Sequence, residues 1–218
     1  MAKKAAFFHT TLATPAPMKA AFHERYPDAE LITILEDGVL PEVIANGGLP
    51  TPSIVKRIVE YGAIAQEQGA AVFVCICTTL GIAVREAQKA VSIPMLTIDG
   101  PMLKQAVQSG ERIGMLITFP PTARTSKAAA LAFAADCGCE VTVDVIVVDG
   151  ARDALNAGDK QEHDRLIVEK AKEAAAAYDV LVFAQVTMLD AAEQCGSLSV
   201  PVLTSVQSGL EQLAAYFA

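Results

Sequence analysis

Tryptophan is absent from this sequence, and aromatic residues make up only 6% of it. Because hydrophobic residues still account for 52%, the core must be built mainly from aliphatic side chains and alanine. Clusters of basic residues are also missing, and the net charge is −8 with the acidic residues spread along the chain. Nucleic acid is therefore not an expected partner, since phosphate binding requires a concentrated Lys/Arg surface.

Long apolar runs are lacking as well. No segment approaches the roughly 18 to 20 continuous apolar residues of a membrane-spanning helix, so we expect no membrane association. The apolar stretch Ala5–Phe8 is too short for the hydrophobic region of a signal peptide and predicts a first buried strand instead. The five cysteines are an odd count and several lie in apolar runs, which indicates a reducing, cytoplasmic location.

The cysteines are not spaced as metal ligands. Two C-x-C pairs are present, Cys75/Cys77 and Cys137/Cys139, whereas the ligands of zinc sites are usually two or more residues apart and are joined by nearby histidines. We therefore expect no metal. In a strand, the side chains of Cys75 and Cys77 would lie on the same face, because successive side chains alternate.

Short apolar, β-branched runs alternate with longer segments that have helical spacing, such as Pro52–Gln68 and Asp159–Tyr178. This alternation predicts an α/β fold with parallel sheets flanked by helices on both faces. The candidate strands are Ala5–Phe8, Leu31–Leu35, Val72–Ile76, Met95–Ile98, Arg112–Ile117, Glu140–Val147, Val180–Ala184 and Val202–Ser205.

The second half of the chain repeats the first. AAFFHTTLATP (5–15) aligns with IGMLITFPPTA (113–123), and AAVFVCICTTL (70–80) aligns at the same spacing with YDVLVFAQVTM (178–188). After a slip of one residue, SIPMLT also aligns with SVPVLT. The repeat predicts two pseudo-symmetric lobes. Their predicted bounds are 1–99 completed by a C-terminal helix at 206–218, and 100–205.

Polar segments follow the strands at equivalent places in both halves: HTTLAT, CTTLG, TFPPT and QVTM. Ligands of open parallel sheets bind beyond the carboxyl ends of the strands, so we predict an active-site cleft between the lobes. Threonine hydroxyls and backbone N–H groups suit carboxylate or phosphate oxygens. Any single threonine here is also typical of a helix N-cap, but four such segments favour a shared anion site.

The order and spacing of these segments resemble the aspartate/glutamate/hydantoin racemase superfamily, which includes maleate isomerase and arylmalonate decarboxylase. The resemblance covers nearly the whole chain. It is carried by the HTT after the first strand, the LEDGVLPEV loop, the segment 69–79 that ends in Cys-Thr-Thr, IGMLITFPPT, and the paired IP and VP strands.

This resemblance implies an isomerase that needs no cofactor or metal and acts on a small carboxylate or amino acid. Members of the superfamily are often homodimers, so the resemblance also suggests a homodimer. In the racemases, one cysteine of each lobe faces the substrate α-carbon, and one thiolate removes a proton while the other thiol returns one. By position Cys77 is the first thiol, but Gln185 stands at the place of the second. An amide has no usable pKa for proton transfer near neutrality.

The catalytic candidates are therefore Cys77 and Gln185. The substrate-binding candidates are His9, Thr10, Thr11, Thr78, Thr79, Thr118, Thr122 and Thr187. Two alternatives to a racemase stay open. One is a single-thiol decarboxylase, lyase or cis–trans isomerase of the same superfamily, and the other is a carboxylate-binding protein without catalysis.

Several side chains keep more than one interpretation. Cys77 is also compatible with an inert buried thiol, and His9 with a general base, a substrate donor or simple packing. Glu36 and Asp37 either approach the cleft or form a solvated acidic turn. The other two histidines, His23 and His163, are predicted to lie on the surface. Four cations are close enough in sequence to the polar segments to contribute charge: Lys56, Arg57, Arg85 and Arg124.

Overall fold

The computed structural model describes residues 3–217, and its secondary structure confirms the predicted α/β fold. All eight predicted strands are present, with small differences at their ends. The strands are β1 (Lys4–His9), β2 (Glu30–Leu35), β3 (Val72–Cys75), β4 (Met95–Thr97), β5 (Arg112–Ile117), β6 (Thr142–Val147), β7 (Val180–Phe183) and β8 (Val202–Thr204).

Helices connect successive strands, as the spacing of apolar residues predicts. The α-helices within the described range are α1 (Pro15–Arg25), α2 (Val39–Ala45), α3 (Pro52–Glu67), α4 (Gly81–Ala87), α5 (Gly100–Ser109), α6 (Ala123–Cys137), α7 (Ala151–Asn156), α8 (Lys160–Ala174), α9 (Leu189–Gln194) and α10 (Ser205–Glu211). Among residues 3–217, no helix combines the length and the apolar character needed to cross a membrane.

The strands form two four-stranded sheets in the orders β2-β1-β3-β4 and β6-β5-β7-β8. All neighbouring strands are parallel. The two orders correspond strand for strand, in agreement with the repeat in the sequence. In each sheet the first strand lies beside the third, so the loops that follow these two strands are neighbours at the carboxyl edge.

Contacts divide the chain into two compact units. The first unit runs to Ile98 and resumes at Val206, and the second comprises Asp99–Ser205. The C-terminal segment is therefore part of the first unit, where the Tyr26 hydroxyl donates to the carbonyl of Leu210 over 2.8 Å. The ring of Phe217 packs edge-on against Tyr26 and Phe22.

Gly209 in α10 has a packing reason to be glycine. A Cβ atom at this position would lie 2.2 Å from the carbonyl oxygen of Ile98, closer than any real Cβ contact. The absence of a side chain therefore allows α10 to approach the end of β4 within the first unit.

The central strands are buried on both faces. In the first unit, Phe8 and Phe73 pack with the apolar face of α3, and the opposite face of β1 places Phe7 edge-on against Phe22 of α1. In the second unit, Met115 lies in one core cluster and Leu116 in another. The side chains of adjacent β5 residues therefore pack on opposite faces of the sheet. Because both faces are buried, the apolar run of the strand is continuous.

Candidate functional site

Polar segments lie together at the carboxyl edge of each sheet. In the first unit, β1 pairs with β3 through Phe8 and Cys75, and the ladder extends by a hydrogen bond of 2.9 Å from the Ile76 N–H to the Phe8 carbonyl. This register brings the segment after His9 beside the segment that contains Cys77. A cleft between the lobes remains a prediction from the sequence.

Cys77 lies where β3 has ended and a 3₁₀ turn begins. Its backbone is extended, and its carbonyl accepts the Leu80 N–H over 3.1 Å at the start of that turn. The side chain is half-buried, whereas Cys75 is fully buried and its thiol donates to the Cys77 carbonyl over 3.4 Å. Cys75 is therefore a core residue, and Cys77 is the member of the pair nearer to solvent.

The other three cysteines lie away from these segments, and all five are free of disulfides. Cys137 ends α6 and Cys139 follows it, so both lie at the far end of a helix that starts at the carboxyl edge. Cys195 follows α9 in the same way and is buried, and this burial raises the pKa of its thiol. Cys77 is thus the accessible thiol at a carboxyl edge within the described part of the chain.

Four predicted threonines lie in the two neighbouring segments at the carboxyl edge of the first sheet. Thr10 and Thr79 are each only 4% exposed, and Thr11 and Thr78 are half-buried. No group among residues 3–217 forms a hydrogen bond with the hydroxyls of these four threonines. Their protons are therefore available to ligand oxygens, as a carboxylate site requires.

His9 is neutral at physiological pH. Its ring is buried, and this desolvation lowers the pKa of His9 to about 4. The Nδ1 atom lies 2.9 Å from the Thr14 hydroxyl, which fixes the ring. An imidazole with this pKa is a weak base at pH 7, so the geometry favours packing or hydrogen bonding by His9 over proton abstraction.

Glu36 belongs to a hydrogen-bonded network rather than to a solvated turn. The Arg57 guanidinium bridges the carboxylates of Glu36 and Glu42, and the Tyr61 hydroxyl donates to Glu36 over 2.8 Å. Thr51 donates to Glu42 over 2.6 Å. The charge of Arg57 is therefore balanced by two carboxylates. Arg57, which the sequence suggested as a source of charge near the polar segments, instead stabilises the loop after β2.

In the second unit, Thr118 fixes the side chain of Gln185. The Oε1 atom of Gln185 accepts from the backbone N–H and from the hydroxyl of Thr118, each over 2.7 Å. A backbone N–H can only donate, so the atom facing Thr118 must be the amide oxygen. The NH₂ end of Gln185 has no acceptor among the described residues and is left as a hydrogen-bond donor.

The remaining threonines of this edge differ in their hydrogen bonds. The Thr122 hydroxyl donates to the Phe119 carbonyl over 2.7 Å, so its proton stabilises the local turn. The Thr187 hydroxyl is buried and has no partner within the described range. Of the three predicted threonines in the second unit, Thr187 alone keeps its proton free, since the proton of Thr118 is used by Gln185.

Arg152 is a residue of this edge that the sequence reasoning missed. It lies in the first turn of α7, shortly after β6, and its guanidinium carbon is 5.1 Å from the centroid of the Phe119 ring. The signal was present, because Arg152 follows a predicted strand at its carboxyl end.

The prediction that His163 lies on the surface is wrong. Its ring is fully buried, because it shares the inward stripe of α8 with Ile167 and Ala171 at helical spacing. Nδ1 of His163 lies 2.7 Å from Asp164, and Lys160 pairs with both Asp164 and Asp190. This cluster connects α8 to the first turn of α9, which begins directly after the Gln185 segment.

No metal site is formed by these side chains. Among residues 3–217, no group of three or more His, Cys, Asp or Glu side chains is arranged to hold a metal ion. The functional groups at the two carboxyl edges are a thiol, hydroxyls, one amide and one guanidinium, which can bind and polarise an anionic ligand.

Two parallel sheets of matching strand order, each with polar loops at its carboxyl edge, define the fold of the aspartate and glutamate racemases. The model of the Asp/Glu/Hydantoin racemase family matches residues 8–213, and the chain belongs to this family. The resemblance seen in the sequence is thereby confirmed. No protein of curated function matches the chain in sequence.

Solved structures of the same fold include racemases and a decarboxylase. The chain is similar to Picrophilus torridus aspartate racemase, with a TM-score of 0.70 and 13% identity over 98% of this chain and 94% of that one. The chain is also similar to glutamate racemase from Aquifex pyrophilus, with a TM-score of 0.65 and 15% identity over 99% of this chain and 84% of that one. For unliganded arylmalonate decarboxylase the TM-score is 0.63 and the identity is 19%, over 99% of this chain and 93% of that one.

The exposure of the cysteines predicts their order of alkylation. Iodoacetamide at neutral pH should modify Cys77 first, because Cys77 lies at a carboxyl edge at the beginning of a helical turn. Cys137 and Cys139 should follow, and the buried Cys75 and Cys195 should react last. Peptide mass spectrometry after timed labelling measures the order, and labelling of Cys137 ahead of Cys77 would contradict a reactive Cys77.

The hydroxyls without partners predict a contrast among threonine variants. Thr79→Val and Thr187→Val should each weaken binding of a carboxylic acid by about 1–3 kcal/mol, because a ligand oxygen loses its donor. Their melting temperatures should hardly change. Thr122→Val is the matched control and should lower the free energy of unfolding by about 1 kcal/mol, since it removes a hydrogen bond within the protein.

Calorimetric titration and thermal unfolding separate the two effects. Equal loss of ligand affinity in Thr122→Val would instead support the original prediction that Thr122 binds substrate. A large fall in melting temperature for Thr79→Val with unchanged binding would identify Thr79 as a core residue.

Proposed function

We propose that this protein is an enzyme of the racemase family that acts on a small carboxylic acid through one thiol, that of Cys77. The observation that carries the proposal is the difference between two equivalent positions of the repeat, 77 and 185. Cys77 lies half-buried after β3, while its counterpart after β7 is Gln185, whose oxygen is held by Thr118. Only one of the two positions therefore has a group that titrates.

The hydroxyls beside Cys77 support a carboxylate-binding role. In the proposed reaction, Thr10, Thr78 and Thr79 donate hydrogen bonds to carboxylate oxygens and stabilise the negative charge that develops when a bond to the α-carbon breaks. Neutral donors are suitable here because they need not be deprotonated or reoriented during the reaction. Their unused protons in the structure are the basis of this assignment.

Cys77 would remove a proton from the α-carbon as thiolate and return a proton to the same face. A two-base racemase needs a second acid on the opposite face, and Gln185 cannot supply a proton. His9 is a poor substitute, because its pKa of about 4 makes it a weak base. The expected chemistry is therefore one-sided, with retention of configuration or conversion to a different product.

A single-thiol decarboxylase, lyase or cis–trans isomerase is the second candidate function. These reactions also need a titrating group on only one side, and one of the similar structures is an arylmalonate decarboxylase. A carboxylate-binding protein without catalysis is the third. The cytoplasmic location and the homodimer stay predictions from the sequence.

Exchange of the α-proton in D₂O tests one-sided catalysis. Single enantiomers of amino acids, substituted malonates and dicarboxylates are incubated with the enzyme, and mass spectrometry and chiral chromatography follow each acid. We expect deuterium uptake with retained configuration, or a new product, for at least one acid, because the proton returns to the face it left. Cys77→Ala should lose this activity.

Two results would contradict the proposal. Efficient racemisation by the wild-type protein would require a second base that the one-thiol mechanism lacks. Binding of an acid without any exchange or turnover would identify a binding protein instead.

Gln185→Cys should introduce weak racemisation. The variant places a thiol at the position equivalent to Cys77, on a strand end that already matches the other repeat. The gain should remain well below the roughly 10²–10⁴-fold contribution of a well-positioned acid or base, because the pKa of the new thiol must still fall from about 8.5 toward neutrality before it transfers protons efficiently.

The loss of optical rotation of a single enantiomer measures this gain. The double variant Cys77→Ala/Gln185→Cys is the control and should lose the gain, because two-sided transfer needs both thiols. Racemisation that persists in the double variant would show that Cys77 is not the partner.

A further inference from the structure

The segment Cys137-Gly138-Cys139 holds two thiols close together at the end of α6, far from the carboxyl edge of the second sheet. Both cysteines are half-buried and neither is in a disulfide, whereas Gly138 between them is exposed. Their side chains pack partly against the core cluster that contains Met115. Each thiol is therefore held in place by its neighbours and is still partly accessible to small molecules.

Hydrogen bonds fix the turn between the two cysteines. Gly138 adopts a left-handed conformation, with a φ of 66° and a ψ of 28°, where α6 ends. Its N–H donates to the Ala135 carbonyl over 3.2 Å, and the Cys139 N–H donates to the Ala134 carbonyl over 2.9 Å. A left-handed glycine with these two hydrogen bonds is a common way to end a helix. The relative position of the two cysteines is therefore set by the backbone.

The left-handed turn brings the two cysteines to the separation that a disulfide needs. A helical residue of either hand places the Cα atoms on its two sides about 5.4 Å apart, given a rise of about 1.5 Å per residue and a radius of about 2.3 Å. Disulfides most often join Cα atoms that are about 5.5–6 Å apart. The Cys139 thiol also lies back toward Cys137, since it donates to the Cys137 carbonyl over 3.8 Å. The pair is therefore placed for closure.

The other C-x-C pair lacks this geometry. Cys75 ends β3, and Ile76 continues the ladder through its hydrogen bond to Phe8, so the Cα atoms of Cys75 and Cys77 are about 6.6 Å apart at a rise of about 3.3 Å per residue. Side chains two residues apart on a strand project in parallel and do not converge. Cys75 is also fully buried. We expect this pair to remain two separate thiols, and it provides a comparison within the same chain.

We propose that Cys137 and Cys139 form a redox-responsive dithiol that closes to an intrachain disulfide by exchange with a small disulfide such as glutathione disulfide. One protein thiolate attacks a sulfur of glutathione disulfide, the S–S bond of that molecule breaks, and one glutathione thiolate leaves. The second protein thiolate then attacks the protein sulfur of the mixed disulfide and releases the second glutathione thiolate. Two electrons pass from the protein to the small disulfide, and the two protons of the protein thiols end on the two glutathione thiols.

This site does not depend on the proposed function, because both cysteines lie at the end of α6 that is remote from the carboxyl edge. In the reducing location predicted from the sequence, the dithiol is the resting form. The disulfide forms when the proportion of glutathione disulfide rises, in the way that transient disulfides of cytosolic proteins report redox conditions.

Equilibration of the full chain in glutathione buffers tests the site. Reduced glutathione is varied at constant pH and constant glutathione disulfide, exchange is stopped with acid, and peptic peptides are mapped by mass spectrometry. A tenfold decrease in reduced glutathione should raise the ratio of closed to open dithiol about 100-fold, because each closure releases two glutathione thiols. Cys77 should instead carry glutathione in a ratio that rises about 10-fold, because a mixed disulfide releases only one.

Single serine variants separate closure from ordinary thiol modification. In Cys137→Ser and in Cys139→Ser, the remaining thiol should stop at the mixed disulfide, with a dependence of about 10-fold, because the second thiol that would release the glutathione is missing. The wild-type chain decides the outcome even if a variant folds poorly.

Three results in the wild-type chain would overturn the proposal. The first is glutathione retained on Cys137 or Cys139 as the main product, with a dependence of about 10-fold, which would show two independent thiols. The second is a disulfide between either cysteine and Cys195. The third is a pair of unmodified thiols at the most oxidising ratio.

Discussion

The parallel pairing of β1 with β3, and of β5 with β7, determines where the candidate functional residues of this protein lie. In a parallel pair both strands end at the same edge, so residues more than sixty positions apart meet without any long loop. The register places Phe8 beside Cys75 and Leu116 beside Phe183, one step before the polar segments begin. Backbone hydrogen bonds therefore hold the two segments of each pair together. Because side chains are not needed for this, the side chains of the segments can differ between the two units.

This divergence is clear when the repeats are compared. In the first unit the threonine hydroxyls near Cys77 have no partners in the described structure, whereas in the second unit Thr118 and Thr122 donate to protein oxygens. The backbone is the same, but the first edge has a thiol and free hydroxyls, and the second has an oriented amide and a guanidinium. The two sheets share their strand order, but the residues at the strand ends give the two edges different functional groups.

The sequence predicted the architecture because its signals are local or repeated. Strand positions follow from apolar runs of four to eight residues, and the two-sheet arrangement follows from the self-similarity of segments such as 70–80 and 178–188. The candidate site was predicted from the same rule, since ligands bind beyond strand ends. These parts depend on periodicity, which a single sequence displays directly.

The remaining features depend on contacts between distant residues, which no pattern in one sequence specifies. Arg57 meets Glu36 across a helix and a loop, so a candidate cation becomes part of a structural network. His163 was predicted to be exposed because its neighbours in sequence are charged, but the helix turns it inward beside Asp164. Arg152 acquires its significance from the Phe119 ring, which lies on another strand end.

The amide at position 185 differs chemically from the thiol at the equivalent position 77. A thiol in that position could accept or release a proton, whereas Gln185 can do neither, and Thr118 occupies the oxygen that could have accepted a hydrogen bond. The remaining N–H group favours negative charge on whatever lies opposite, and the guanidinium of Arg152 has the same preference. The two strand ends therefore differ in the property that proton transfer requires. Cys77 has a thiol that can ionise, whereas Gln185 has an amide that can only form hydrogen bonds.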